Sequence, residues 1–426
     1  MSQDLVYAVD FGTSNSLLAA ASRDQTFAPI PLDPSAPDPT ILRSILYFPS
    51  QNQCFYGNQA IQEFQRNDLH GRLIRSIKKY LPMRSFVGTW IENRPMNLED
   101  IIAVFLGEMR RRANEHFQKD VDAIVLGRPA RFSLDPSDDD YAQYRLERAA
   151  RTAGFNRIEF VPEPLAAAFE LRTRLKESKI ALVADFGGGT SDYTIIQIGP
   201  VPFKTSDVLA IQGIPLAGDA LDGAVMKNKL LPFFGGDVSY AVPFGSNVLK
   251  MPVALIDRLC SPADMSLLRK RDVMDFFRNV RQWSLTDEDT EKMDRLFCLI
   301  EDNLGFEIFE EIERTKRRLS ASEKTHLKFQ YPTIDLDEPI TRTEFETYVS
   351  EPVGKILHCL DETLKQAQLK PADIDLVFCT GGTAKTPILN RELISRFGAE
   401  KIQERNNFHS IVEGLSVRAR ELAAQG

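Results

Sequence analysis

Two stretches of this sequence end an apolar run in an aspartate, a phenylalanine and a glycine turn. The first, AVDFGTSNS, carries Asp10, Phe11, Gly12, Thr13, Ser14 and Asn15; the second, VADFGGGTSDYT, carries Asp185, Phe186, Gly187, Gly188, Gly189, Thr190 and Asp192. Glycine costs backbone entropy, so three in succession point to a backbone that must come very close to something. Backbone N–H groups in such a turn can all face one anion, and Thr13, Ser14, Asn15 and Thr190 add side-chain donors. Aspartates alone would repel a phosphate. Asp10 and Asp185 make sense if a Mg2+ ion lies between them and the phosphate oxygens, held largely through water. A tight surface turn is the other reading of either stretch, and the repetition weighs against it. Two related halves facing each other would set two glycine turns and two aspartates on one ligand.

Further segments suit the same cleft. IDLVFCTGGTAKTPIL is a strand followed by Gly381, Gly382 and Thr383, then Lys385 and a helix opened by Pro387. A glycine pair there lets a flat group or a phosphate lie against the backbone. FEEIERTKRRLS spaces Glu313, Lys316, Arg317 and Ser320 at i, i+3, i+4 and i+7, one face of a helix; a solvated charged face is the usual reading of such a stripe. FVPEPLAAAFEL ends a strand with Glu163 between prolines and opens a helix with Ala166, Ala167 and Ala168, small enough for another helix to cross closely. Glu163 reads either as a loop or capping residue or as a carboxylate over the site.

Elements of two kinds must position these residues. Near-continuous apolar runs at Leu5 to Val9, Ala123 to Leu126, Ile180 to Ala184 and Leu376 to Cys379 suggest strands buried on both faces. Helical patterns lie between them, including NLEDIIAVFLGEMRRRANEHF, PLAAAFELRTRLKES and RTEFETYVSEPVGKILHCLDETLKQAQL, so the class is α/β. Both glycine turns are followed by further strand, which makes a strand–turn–strand device used twice. A chain of 426 residues suggests more than one domain. The run from Met226 to Gly305 starts rich in proline and glycine and continues helical and charged, as an insertion between strand-rich parts.

Composition excludes several classes. With 43% hydrophobic and 26% charged residues the chain is ordinary for a globular protein, and no apolar run is long enough to span a bilayer. The start, MSQDLVYAVDF, has no secretory signature. Five scattered cysteines and five dispersed histidines argue against a disulfide framework and a zinc site, and favour a cytoplasmic location. A net charge of −8 disfavours nucleic acid as a general partner. There is no GxxxxGK[ST] loop, no kinase catalytic loop beside the two DFG tripeptides, and no dinucleotide fingerprint.

Taken in order, these segments resemble the nucleotide-binding domain of the seventy-kilodalton heat-shock (DnaK-type) chaperones, within the actin and hexokinase superfamily. AVDFGTSNS and VADFGGGTSDYT resemble the two phosphate loops, FVPEPLAAAF and VEGLSVRARELA the two connecting segments, and TGGTAKTP the adenosine segment. IRSIKKYLP, VLGRPARF, LAGDALD and ERTKRRLS add further likeness. The resemblance implies an actin-like ATPase fold: two duplicated lobes with ribonuclease-H-like cores around a nucleotide cleft. Lobe I would cover 1–180, with a small upper subdomain at about 40–100. Lobe II would cover 181–426, with an inserted, mainly helical subdomain at about 226–311.

It also implies roles. Asp10, Glu163 and Asp185 would hold Mg2+ and its waters, with Asp185 near the attacking water. Gly12, Thr13, Ser14, Asn15 and the stretch Gly187, Gly188, Gly189 and Thr190 would bind the β- and γ-phosphates, and Lys78 would reach the γ-phosphate. Gly218 and Asp219 would join the nucleotide site. Glu313, Lys316, Arg317 and Ser320 would grip ribose and adenine, with Gly381, Gly382, Thr383 and Lys385 on the opposite side. Pro129 and Arg131 lie where the long family members relay nucleotide state. Two positions depart from the pattern: Lys385 stands where the family has a stacking arginine, and Phe408 where it has an aspartate near the nucleotide. Only twelve residues follow Gly414, so the expected match is the short YegD-like branch, without a peptide-binding domain, and no affinity for extended hydrophobic client peptides is expected.

The implied function is a Mg-dependent, ATP-binding and slowly ATP-hydrolysing chaperone-like protein that switches conformation between ATP and ADP states. Its partners would be adenine nucleotide and a co-chaperone or client protein bound at the inserted subdomain, with neither nucleic acid nor membrane. A small-molecule kinase of the same superfamily, or a nucleotide-bound scaffold without turnover, are the alternatives, and fold alone does not separate them.

Overall fold

The computed structural model describes residues 5–172, 175–199, 207–243, 245, 247–404 and 409–425. Contacts gather the chain into two compact units. The first comprises Met1–Gly218, Lys355–Lys385 and Leu389–Gly426; the second comprises Asp219–Gly354 and Thr386–Ile388.

The first unit contains two sheets of one connectivity. In one, the strands run in the spatial order Arg157–Pro162, Ala123–Arg128, Val6–Phe11, Asn15–Ala21 and Thr26–Phe27, with Leu42–Arg43 also paired to Asn15–Ala21. In the other, the order is Ile402–Glu404, Leu376–Thr380, Lys179–Phe186, Ser191–Ile198 and Val208–Ile214. Each sheet starts as a three-strand antiparallel meander; one further strand joins its first strand in parallel, and another pairs in parallel with that one. This repeated core, on a chain of mixed helices and strands, is the actin-like ATPase fold. Every residue of Val6–Phe11 is buried, as a strand covered on both faces requires. A smaller three-stranded sheet, Gln53–Tyr56, Leu46–Ser50 and Arg72–Ile74, and the hairpin Gly88–Ile91 with Arg94–Asn97 complete the sheets of this unit.

Small residues close its core. Helix Glu163–Arg172 carries Ala166, Ala167 and Ala168, all buried, and packs on helix Ser410–Gln425. At the crossing, a Cβ on Gly414 would lie 1.7 Å from the Ala166 carbonyl oxygen, so only glycine lets the two backbones meet. The close crossing expected at the three alanines is therefore present. Ala19 and Ala21 of the neighbouring strand join the same apolar cluster.

The second unit is mostly helical, with helices Val253–Leu259, Arg271–Gln282, Asp287–Glu301 and Gly305–Ala321, and two hairpins, Ser239–Ala241 with Val248–Lys250 and Lys324–Tyr331 with Ile334–Thr341. In Arg271–Gln282 the buried residues Val273, Met274, Phe277 and Val280 fall on one helical stripe. One helical pattern differs from the sequence reading. RTEFETYVSEPVGKILHCLDETLKQAQL forms two helices, Arg342–Tyr348 and Ser350–Gln366. Pro352 has no N–H and its ring would clash with a preceding helical carbonyl, so it is accommodated in the first turn of a new helix. Among the described residues, no helix is long and apolar enough to cross a membrane.

Candidate functional site

Asp10 and Asp185 occupy the same place in the two repeated sheets, the last position but one of the first strand. Both therefore stand at the strand end where a glycine turn begins. Glu163 is the first residue of its helix, directly after the strand Arg157–Pro162, and Lys78 lies in the single helical turn Ile77–Tyr80. All four side chains are buried, and Lys78 Nζ meets Glu163 Oε1 at 2.6 Å. Asp185 Oδ1 accepts a hydrogen bond of 2.7 Å from the Thr380 hydroxyl of the adjacent strand.

Burial dominates the electrostatics. It raises the Asp10 carboxyl well above its usual range, helped by the charges of Glu163 and Asp185 and opposed by Lys78. Asp185 is pushed up to about 6, first by burial and then by Glu163, while the Thr380 hydrogen bond and Lys78 pull the other way. A third aspartate, Asp192, pairs with Asp185 across the meander and is fully buried. It too is raised well above its range, by burial and then by Glu163 and Asp185. The cluster holds more carboxylate than Lys78 can neutralise, and a cation would relieve the excess. Among the described residues, no three histidine, cysteine or acidic side chains converge closely enough to chelate an ion directly. Carboxylates are the oxygen donors that a hard cation takes, directly or through its waters.

The glycine turns meet beside this cluster. A Cβ on Gly189 would come 2.8 Å from Thr13 Oγ1, so the second turn lies directly against the first. Gly187 N–H donates to the Thr190 carbonyl at 3.0 Å, closing the second turn on itself, and Gly218 N–H donates to the Gly187 carbonyl at 3.2 Å. The Thr383 hydroxyl donates to that same carbonyl at 2.8 Å. Gly381 takes a left-handed φ of +82°, and a Cβ there would lie 2.2 Å from the Phe186 carbonyl oxygen. On the first turn, Ser44 Oγ donates to the Gly12 carbonyl at 2.7 Å and its N–H to the Ser14 carbonyl at 2.9 Å. Residues 12–15, 187–190, 218 and 381–383 thus form one assembly with Asp10, Glu163, Asp185 and Lys78. Gly382 and Lys385 are exposed, on the short helical turn that follows.

The other candidates lie in the second unit. Helix Gly305–Ala321 carries Glu313, Lys316, Arg317 and Ser320. Lys316 is not solvated: its Nζ meets the buried Asp222 at 2.7 Å, and burial pushes Asp222 up to about 6 against the pull of Lys316. Glu313 and Asp219 both raise Asp222 further, which places them near it. Arg317 is exposed and pairs with Glu313 at 2.5 Å, while the Ser320 hydroxyl donates back to the Lys316 carbonyl at 3.3 Å.

Three residues of these clusters were missed as site candidates. Asp192 closes the DFGGGTSD motif, and its spacing of seven from Asp185 across a tight hairpin was the available signal. Thr380 ends the strand before the glycine pair, and Asp222 stands three residues after Asp219. Asp192 also holds the turn that carries Pro129 and Arg131, since its Oδ1 accepts the Ala130 N–H at 2.7 Å. Phe408 lies outside the described residues.

The sequence model of the Hsp70 protein family matches residues 73–228 and 299–425. Over 431 aligned residues the chain is 25% identical to the chaperone protein DnaK of Thermosipho melanesiensis, covering 99% of this chain and 60% of that protein. The DnaK of Thermosipho africanus gives the same identity and coverage. For the DnaK of Thermotoga neapolitana the identity is 25% over 430 residues, with 99% of this chain and 60% of that protein covered. The chain spans about 60% of the length of these curated relatives.

Proposed function

The chain belongs to the Hsp70 family, and on that premise we propose that it binds ATP with Mg2+, hydrolyses it slowly and changes conformation between ATP- and ADP-bound states as a chaperone-like protein. The observation that carries this reading is the contact of Gly189 with Thr13, which sets two glycine turns face to face beside Asp10, Glu163, Asp185 and Lys78. Backbone donors of the two turns would hold the β- and γ-phosphates. Mg2+ would supply charge neutralisation at the phosphate oxygens, and Asp10, Glu163 and Asp185 would orient its waters. Lys78, now paired with Glu163, would turn its ammonium to the γ-phosphate and stabilise charge as the bond to the bridging oxygen breaks. Asp185 is suited by its place beside the second glycine turn to orient a water for attack and to accept its proton.

Glu313, Lys316, Arg317 and Ser320 are proposed to hold the nucleoside, with Gly381, Gly382, Thr383 and Lys385 on its other side. The two lobes at 1–180 and 181–426, the subdomains at about 40–100 and 226–311, a protein partner on the inserted one and a cytoplasmic location belong to the same proposal. Isothermal titration with ATP, with and without Mg2+, tests the premise; binding that chelation weakens is expected, and equal heats after chelation would refute the metal requirement. Phosphate release without an added acceptor, set against a panel of metabolites, separates hydrolysis from phosphoryl transfer.

A further inference from the structure

Among the described residues, Arg145 is the largest fully buried side chain, 1% exposed on helix Pro136–Thr152. Nothing in its sequence context marks it, since it sits in an ordinary charged helix, YRLERAA. Its guanidinium faces the chain just after Lys78. Nη1 lies 3.3 Å from the Tyr80 carbonyl oxygen, 3.4 Å from that of Leu81 and 3.3 Å from that of Met83. Nη2 donates to the Phe86 carbonyl at 3.0 Å, and Nε to Glu99 Oε1 at 3.1 Å. One buried charge therefore gathers four carbonyls of a seven-residue stretch, which a planar fork of five N–H groups can do and an ammonium cannot.

The stretch needs such a clamp. Ser76, two residues before Lys78 and buried, holds a left-handed φ of +51°, a conformation that costs a non-glycine residue about 1–3 kcal/mol and persists only where its surroundings enforce it. The rings of Tyr80 and Phe86 stack with centroids 4.0 Å apart across the loop that Arg145 closes. Arg84, inside the same loop, reaches back to the Asp138 carboxylate at 2.7 Å and the Ser137 carbonyl at 3.0 Å on the same helix.

We propose that Arg145 is a positioning residue for Lys78: by tying residues 80–86 to helix Pro136–Thr152 it fixes the turn Ile77–Tyr80 and holds the lysine ammonium beside Glu163. The inference rests on the reading of Lys78 as the lysine that faces the γ-phosphate, but its structural half does not. The variants are Arg145→Met and Arg145→Lys, with Arg110→Met as control. Arg110 is a partly buried guanidinium of the same unit that donates to the Val121 carbonyl and pairs with Asp120, away from the Lys78 turn.

Limited acetylation of nucleotide-free protein, read at Lys78 by mass spectrometry, is the first measurement. Lys78 is 5% exposed, so wild type should label slowly. Arg145→Met should label on the order of tenfold faster through local opening of the turn, Arg145→Lys in between, and Arg110→Met at the wild-type rate. The second measurement is single-turnover ATP hydrolysis, where Arg145→Met should lower the rate constant far more than ATP affinity, and Arg110→Met should change neither. Wild-type labelling of Lys78 in Arg145→Met, or equal acceleration in Arg110→Met, overturns the proposal. Should Arg145→Met fail to fold, Arg145→Lys decides alone, and an unchanged labelling rate overturns it. If wild type shows no turnover, the ATPase reading falls while the labelling result still decides the role of Arg145.

Discussion

The two repeated sheets put an aspartate at one backbone position and then treat it differently. Asp10 faces Leu17 across its hairpin, whereas Asp185 faces a second aspartate, Asp192. Burial raises both first-strand carboxyls, but the compensation comes from different sources. The charge of Lys78 is the main relief at Asp10, while a neutral hydroxyl, Thr380, gives Asp185 its largest. The first glycine turn is tied down by Ser44 from outside the hairpin; the second is closed by its own Gly187–Thr190 bond and by Thr383 and Gly218. Duplication has thus kept the backbone and divided the chemistry. One half depends on a mobile-type charge on a long side chain, and the other on short, fixed hydrogen bonds.

Removing each source of relief in turn breaks or sharpens that contrast. Lys78→Ala should lower ATP turnover by on the order of 10²-fold with a much smaller change in ATP affinity. Thr380→Val keeps shape and removes only the hydroxyl, leaving a buried carboxylate short of one hydrogen bond, a loss of about 1–3 kcal/mol. Its effect on turnover should be the smaller of the two, because the hydroxyl adjusts Asp185 without touching the transferring group. Steady-state kinetics and ATP titration of both variants check this. Equal losses would mean that the halves do not differ in the way described.

Between them lies a seam both halves share. Gly414→Ala places a methyl inside the backbone of Ala166, and the helices must separate; destabilisation of about 1–3 kcal/mol is expected from such overpacking. Gly354→Ala is the matching control, a helical glycine with no atom within 4 Å of the new methyl, where a gain of up to about 1 kcal/mol follows from helix propensity. Urea denaturation of both variants compares them. A neutral Gly414→Ala would show that the seam is looser than its geometry.

Much of this was legible in the sequence because it is local. Apolar runs ending in DFG give strand, turn and aspartate together, and both devices form as read. Ala166 to Ala168 announce a close crossing by side-chain size alone. What was not legible depends on partners distant in the chain. Lys316 reads as one charge on an exposed stripe, and only Asp222, from another helix, turns it into a buried pair. Arg145 lies among surface-like charges in sequence and becomes a clamp only when residues 80–86 fold over it. The break between Tyr348 and Ser350 was readable from Pro352, yet the apolar period runs through it and hides the boundary.

The last effect concerns Asp192 and tests the doubled carboxylate of the second half. A carboxyl whose folded pKa is raised keeps its proton over a range where the unfolded chain has lost it. The folded state then binds more protons, and stability falls as pH rises, from the unfolded value near 4 to the folded value. For Asp185 that range ends at about 6, and Asp10 and Asp192, both raised well above the usual value by burial, contribute a decline of the same sign. Asp192→Asn removes one of these groups and retains an oxygen to accept the Ala130 N–H. Its loss of thermal stability on going from pH 5 to pH 8 should therefore be shallower than that of wild type, by up to about 1.4 kcal/mol per pH unit where Asp192 alone would titrate. Asp222, pushed up to about 6 in the other unit, is present in both proteins and cancels in the comparison. Thermal melts in Mg2+-free buffer across that range decide it. Parallel curves would show that Asp192 does not titrate with its neighbours, and that the second half holds its extra acid at no electrostatic cost.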